Sequence, residues 1–132
     1  MMSEDADPRG FAGRTPRFIL VVEDEFLLAM ELESILTEAG YRVLGPASSV
    51  RAALAIMSDE TPHAAVLDVN LGRERVTPVA VALEERSIPF VIATAYSAAD
   101  LANEPALASA RKLDKPTSAY ALLEALQQII IR

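Results

Sequence analysis

The chain has 132 residues, of which 52% are hydrophobic, and carries a formal net charge of −7 at pH 7. This length and composition fit one domain that can bury a substantial core, and the acidic balance argues against a nucleic-acid-binding surface, which needs a basic patch. The absence of cysteine excludes disulfides and thiolate sites, and the single histidine, His63, excludes any site that needs two imidazoles.

The N-terminal part of the chain, residues 1–16, is polar and has little periodicity. This predicts a disordered arm ahead of a single domain over residues 17–132. The arm lacks the basic region and apolar block of a secretory signal, and no apolar run in the chain approaches the roughly 18 residues of a membrane span. We therefore expect a cytoplasmic protein without membrane contact.

The first part of the domain predicts two strands and two helices. Residues 18–22 form an apolar run that indicates a buried strand, and acidic residues follow it. Next comes a helix whose apolar positions recur every three or four residues until a glycine stops it. A second short strand is expected at residues 41–44, closed by the Gly-Pro pair at 45–46, and the next helix is expected to be capped by Ser48 or Ser49.

The middle of the chain predicts a third strand that ends in a carboxylate. Residues 64–67 are apolar, and they are followed by Asp68 and by a polar segment with a glycine. A third helix is expected to begin at Thr77 and Pro78, with the threonine hydroxyl as its cap. Residues 89–93 indicate a fourth strand.

The last part of the chain is less regular. Residues 97–110 predict at most a short helix at about 97–102, and Pro105 disfavours helix at the residue before it. A weak, polar fifth strand is expected at residues 111–114 and a last helix at about 117–131. The repeated alternation of strand and helix predicts a parallel sheet with right-handed crossovers and helices on both faces.

Polar residues directly follow four of the five predicted strands: Glu23 with Asp24, then Asp68, Thr94 and Lys115. Because ligands of such sheets bind at the carboxyl ends of the strands, we expect these side chains to share one site. Three carboxylates repel one another unless a cation lies between them, and Mg²⁺ suits both carboxylates and phosphate oxygens. A hydroxyl and an ammonium suit the charge of a transferring phosphoryl group. Asp68 would be the nucleophile that takes this group as an acyl phosphate.

Each of these residues also has a simpler interpretation on its own. The acidic residues after the first strand could cap a helix, Asp68 and Thr94 could be turn or cap residues, and Lys115 could be a solvated loop charge. Their joint occurrence at four strand ends favours a phosphoryl-transfer site. We interpret His63 as a strand-edge residue and Arg75 as a loop charge that could touch a partner.

Four ordered motifs of the chain resemble those of the receiver domain of two-component response regulators. They are VVEDE at 21–25, VLDVN at 66–70, ATA at 93–95 and KP at 115–116. The resemblance begins at about residue 17 and extends to the end of the chain. It implies a three-layer (βα)5 flavodoxin-like fold whose parallel sheet has the strand order 2-1-3-4-5.

The resemblance implies a role for each acidic residue of the site. Asp68 would be the phosphoacceptor. Mg²⁺ would be bound directly by Asp24, by Asp68 and by the backbone carbonyl of Asn70. Glu23 would act on the ion largely through water.

Two further residues would contact the phosphoryl group. The resemblance implies that Thr94 bonds one phosphoryl oxygen and that Lys115 pairs with another. The Lys115–Pro116 peptide bond would be cis, as is usual in the family. A receiver takes its phosphoryl group from a histidine kinase or a phosphotransfer protein, so no enzyme activity is expected beyond self-phosphorylation and autodephosphorylation.

A narrower likeness lies in residues 89–96, PFVIATAY. They look like the PFxFATGY stretch of the "FAT GUY" receivers, which are commonly stand-alone receivers working with HWE-type and related histidine kinases. Ile92 and Ala95 depart from that stretch. The family also places an aromatic switch three residues before the lysine, where this chain has Lys112. We expect Tyr96 to take over part of the signalling or to shield the acyl phosphate from water.

The sequence leaves the output of the receiver open. We expect no output domain after the last helix, and we expect the receiver to act through a downstream protein or as a phosphate sink. The isoleucines at 129–131 either pack on the sheet or form a partner or dimer surface, which phosphorylation could regulate. Two other functions stay open: a receiver that binds partners without phosphorylation, and an Asp-nucleophile phosphohydrolase, whose usual second acid is replaced here by Asn70.

Overall fold

The computed structural model describes residues 16–94, 101, 103–115 and 117–131. In chain order the elements are β1 (Phe18–Val22), α1 (Phe26–Glu38), β2 (Arg42–Ala47), α2 (Val50–Asp59), β3 (Ala64–Asp68), β4 (Asn70–Leu71), β5 (Glu74–Arg75), α3 (Thr77–Glu85), β6 (Phe90–Thr94), α4 (Pro105–Ala108), β7 (Arg111–Asp114) and α5 (Ala119–Ile131). Among these described residues, no helix has the length and apolar character needed to cross a membrane.

Five parallel strands form the main sheet, in the order β2-β1-β3-β6-β7. Counted as the first to fifth strand of this sheet, the order is 2-1-3-4-5, which confirms the predicted flavodoxin-like topology. The strands β4 and β5 pair with each other as a short antiparallel hairpin directly after β3. The sequence pattern did not predict this hairpin.

Helices cover both faces of the sheet because successive residues of its buried strands point to opposite sides. In β1, Leu20 and Val22 pack with residues of α2 and α3, whereas Ile19 and Val21 pack with α1 and α5. All four side chains are fully buried. At the end of α5, the half-buried residues 129–130 pack against the α1–α5 side of the core, which supports the first of their two interpretations.

Strand β2 extends further than the sequence predicts. The prediction closed it at the Gly-Pro pair, but the strand continues to Ala47, which pairs with Val22 after a register shift. Gly45 has a φ of +95°, and the peptide bond to Pro46 is cis. A Cβ at Gly45 would lie 2.7 Å from the backbone nitrogen of Ala47. Glycine therefore lets the strand pass this position where a side chain would clash.

The starts of two helices test the predicted caps. At α2, the N–H of Ala52 donates to the hydroxyl of Ser49 at 3.0 Å, which confirms one of the two predicted caps. The prediction for α3 was wrong: Val76 occupies the cap position, and Thr77 is already the first helical residue. The hydroxyl of Thr77 donates instead to the carboxylate of Glu104, and an ionised acceptor makes the stronger hydrogen bond.

The less regular segments give mixed outcomes. Apart from Pro16, the arm predicted at 1–16 lies outside the described residues, and so does most of the helix predicted at about 97–102. Glu104, just before Pro105, has an extended backbone (φ −119°, ψ 98°), as expected for a residue that precedes proline. Pro105 itself begins the short helix α4, because its fixed φ suits the first helical position.

Replacing the cap of α2 should have a measurable cost. We expect Ser49→Ala to lower the free energy of unfolding by about 1 kcal/mol, because the amide of Ala52 loses its acceptor. Urea unfolding followed by circular dichroism measures the change. Ser48→Ala, at the exposed preceding residue, is the matched control and should change the free energy by less than about 0.5 kcal/mol. Equal losses in the two variants would contradict the role of Ser49.

Candidate functional site

Three carboxylates meet at the carboxyl edge of the sheet. Glu23 and Asp24 follow β1 and Asp68 ends β3, and one oxygen of each lies within 4.8 Å of the other two. The parallel register that pairs Val22 with Leu67 brings the next residues of both strands side by side. Glu23 is only 2% exposed, Asp68 is partly buried and Asp24 is exposed. Glu23 therefore forms the interior of the group, and Asp24 its solvent side.

The ammonium of Lys115 contacts two of these carboxylates. Its Nζ lies 3.2 Å from Oε1 of Glu23 and 3.2 Å from Oδ1 of Asp68. Lys115 directly follows β7, and its backbone N–H donates to the carbonyl oxygen of Thr94 at 3.1 Å. Thr94, which is 1% exposed, ends the neighbouring strand β6. The structure thus brings residues from all four predicted strand ends to one edge of the sheet.

The charges of the group alter the ionisation of its buried members. Burial raises the pKa of Glu23 and the charge of Asp68 raises it further, whereas the N–H of Glu25 and the ammonium of Lys115 lower it; the net shift is upward. Burial lowers the pKa of Lys115, but the charges and hydrogen bonds of Asp68 and Glu23 outweigh burial, and the net shift is also upward. Lys115 therefore stays charged, and the charge of Asp68 still disfavours the ionised form of Glu23.

The donor set fits a hard divalent cation. Mg²⁺ is typically bound by one or two carboxylates while it keeps several waters. Asp24 and Asp68 offer such carboxylates, and the exposure of Asp24 gives water access to the group. Glu23 lies on the buried side of the group, where its carboxylate accepts hydrogen bonds from the backbone N–H of Glu25 at 3.1 Å and from the ammonium of Lys115.

Asn70, the remaining predicted metal ligand, lies in the hairpin two residues after Asp68. Its side-chain oxygen accepts a hydrogen bond from Nη1 of Arg75 at 3.2 Å. Arg75 is paired with Asn70 across the hairpin and also forms an ion pair with Glu104, the residue before α4. The interpretation of Arg75 as a loop charge was therefore wrong, because its guanidinium binds two side chains of the same domain.

Glu104 should contribute to stability in a pH-dependent way. Hydrogen bonds from Thr77 and Arg75 lower the pKa of Glu104 below its ordinary value of 4.5. The ionised carboxylate therefore stabilises the folded state above pH 4.5, and this contribution is lost as the pH falls through the lower folded pKa. We expect Glu104→Gln to lower the free energy of unfolding at neutral pH, and the difference from wild type to shrink below pH 4.5.

Urea unfolding at neutral and acidic pH measures this difference. Glu85→Gln removes the same charge from an exposed position of α3 and serves as the control. A loss in Glu104→Gln that stays constant across this pH range would contradict the role assigned to the ionised carboxylate.

Two predicted features lie outside the residues that the structure describes: the proposed switch Tyr96, and the isomer of the Lys115–Pro116 bond. The position of the usual switch aromatic is described. There, Nζ of Lys112 donates to the carbonyl oxygens of Ala108 at 2.7 Å and Ala110 at 2.9 Å. This lysine thus joins β7 to the end of α4.

Comparison with known proteins identifies one family. The model of the response regulator receiver domain matches residues 19–127. Among curated proteins, the transcriptional regulatory protein PdtaR of Mycobacterium tuberculosis is 31% identical over 119 residues, which are 89% of this chain and 58% of PdtaR. The chain therefore spans little more than half the length of the curated relatives it matches.

Solved structures share the fold. A protein described as a response regulator from Chloroflexus aurantiacus J-10-fl is 27% identical, with a TM-score of 0.78 over 89% of this chain and 100% of that chain. A CheY-like receiver domain protein from Methanospirillum hungatei JF-1 is 24% identical, also with a TM-score of 0.78, over 89% of this chain and 95% of that chain. The second likeness is one of fold alone.

Proposed function

This chain belongs to the response regulator receiver domain family, and from that premise we propose that Asp68 accepts a phosphoryl group in a reaction that depends on Mg²⁺. The donor would be a histidine kinase or a phosphotransfer protein. The observation that supports this most is the contact of one ammonium, that of Lys115, with both Asp68 and the buried Glu23 in a group of three carboxylates. Positioned charges of this kind are the main requirement of phosphoryl transfer.

Each residue of the group has a proposed part in the reaction. A carboxylate oxygen of Asp68 attacks the phosphorus of a phosphohistidine, so that a P–O bond forms, the P–N bond breaks and the imidazole leaves. Asp24, Asp68 and the backbone carbonyl of Asn70 would hold Mg²⁺, which would supply positive charge to the phosphoryl oxygens. Lys115 pairs with one phosphoryl oxygen, and the hydroxyl of Thr94 donates to another.

The partners and the output are part of the same proposal. The likeness of residues 89–96 to the FAT GUY stretch supports a kinase of the HWE type or a related one. We propose that the phosphorylated domain signals by binding a protein partner, which includes the case of a phosphorylation-dependent dimer. The alternative is that the domain serves as a phosphate sink. In this proposal Tyr96, two residues after Thr94, takes over part of the role of the family's aromatic switch, whose position is occupied here by Lys112.

Incubation with acetyl phosphate, with and without Mg²⁺, tests the proposal. Intact-mass spectrometry should show a gain of one phosphoryl group per chain that requires Mg²⁺, and peptide mapping should place it on Asp68. No gain under either condition would contradict the proposal and favour a binding domain that works without phosphorylation. Continuous release of phosphate from small phosphoesters would instead indicate a phosphohydrolase.

A further inference from the structure

The hairpin after the Asp68 strand is attached to two helices by adjacent residues. Glu74 accepts a hydrogen bond from the N–H of Val50, the first residue of α2, at 3.1 Å. Arg75 forms the ion pair with Glu104 at the start of α4. Arg75 also donates to the side-chain oxygen of Asn70, which lies on the other strand of the hairpin. One guanidinium therefore bridges the segment next to Asp68 and the start of α4.

Side chains from other elements hold α4 at both of its ends. The helix has only four residues, and so short a helix gains little stability from its own hydrogen bonds. At its start, Glu104 binds Arg75 and the hydroxyl of Thr77. At its end, Lys112 binds the carbonyl oxygens of Ala108 and Ala110. The position of α4 therefore depends on these contacts and on its buried residues.

The ion pair lies in a partly buried setting. The side chains of Arg75 and Glu104 are 38% and 27% exposed, so salt screens their attraction less than that of a fully exposed pair. A shift of the hairpin would move the guanidinium relative to Glu104. The start of α4 would then move with it or lose this partner.

We propose that Arg75 is a positioning residue that couples the Asp68 site to the start of α4. This inference rests on the proposed function, in which the backbone carbonyl of Asn70 binds the metal ion. A change at Asn70 alters the hydrogen bond to Arg75 and, through the same guanidinium, the contact with Glu104. Because coupling between two sites is reciprocal, loss of the Glu104 charge must also change the environment of the Asn70 side chain.

The first experiment needs no ligand. NMR spectra would follow the side-chain amide signals of Asn70 in the wild type and in Glu104→Gln, each with Arg75 intact and with Arg75→Gln. Glu104→Gln should shift the Asn70 signals when Arg75 is intact and should leave them in place when Arg75 is replaced. Glu74→Gln removes the neighbouring charge on the α2 side and should shift them less. The proposal would be overturned if Glu104→Gln left the Asn70 signals unshifted, or if it shifted them equally with Arg75 intact and with Arg75→Gln.

The second experiment measures the coupling directly. In the wild type, Mg²⁺ with beryllofluoride should change the hydrogen-exchange rates of residues 103–110 by at least about fivefold, the lower end of typical coupling between sites. Arg75→Gln and Glu104→Gln should each remove this change, the double variant should do no more than either single one, and Glu74→Gln should keep it. A full response in Arg75→Gln would overturn the proposal. If the wild type binds no beryllofluoride, the proposed function fails, while the Asn70 spectra still decide whether Arg75 links the two segments.

Discussion

Asp68→Asn is expected to abolish the uptake of a phosphoryl group from acetyl phosphate while the protein stays folded. The amide is not an anionic nucleophile, and the remaining carboxylates of the site follow a different strand, β1. Loss of the Asp68 charge removes one partner of Lys115 but also removes repulsion of Glu23. Because these effects oppose each other, we expect the free energy of unfolding to change by no more than about 1 kcal/mol. Intact-mass spectrometry and urea unfolding measure the two quantities.

The control for this prediction is another aspartate at a strand end. Asp114 ends β7 and is exposed, and it lies next to Lys115 in the chain. Asp114→Asn removes the same charge with the same change of atoms and should take up the phosphoryl group as the wild type does. Uptake by Asp68→Asn at the wild-type level, or loss of uptake in Asp114→Asn, would show that Asp68 is not the acceptor.

The site was predictable at the strand ends because the signal there is local. An apolar run followed by a polar residue marks the carboxyl end of a buried strand, and β1 and β3 both end in this way before or at a carboxylate. Parallel pairing then brings such ends together without further information. The side-by-side placement of Glu23 and Asp68 follows from this rule, and so does the approach of Lys115 to both.

Contacts between irregular segments leave no comparable signal. Arg75 and Glu104 are 29 residues apart, and each alone has the pattern of a solvated charge. The same carboxylate overrides a local rule at Thr77, whose hydroxyl binds Glu104 instead of capping α3. The extension of β2 through Gly45 also depends on its pairing partner, since Ala47 finds its place beside Val22 only in the folded sheet. Tertiary partners, rather than propensity, decided each of these positions.

Asp24→Asn is expected to weaken Mg²⁺ binding at least about tenfold, as loss of a partner in a metal site commonly does. The asparagine keeps an oxygen but loses the charge that would face the ion, and Asp24 is the member of the carboxylate group most open to solvent. At a fixed, saturating Mg²⁺ concentration, bound Mg²⁺ stabilises the folded state. A tenfold weaker affinity lowers this stabilisation by about 1.4 kcal/mol. Isothermal titration calorimetry measures the affinity, and the chain has no tryptophan to report binding by its fluorescence.

Glu25→Gln separates this local effect from the overall charge of the segment. Glu25 is the next residue, is exposed, and occupies the cap position of α1 with an extended backbone. Glu25→Gln removes one negative charge, as Asp24→Asn does, but at a position about one residue further from the carboxylate group. Any general attraction of cations to this acidic segment therefore falls equally in the two variants. We expect Glu25→Gln to bind Mg²⁺ within about twofold of the wild type, since an exposed charge outside the ligand set is largely screened by salt. Equal weakening in both variants would mean that the segment attracts Mg²⁺ only through its net charge, and that Asp24 is not a ligand.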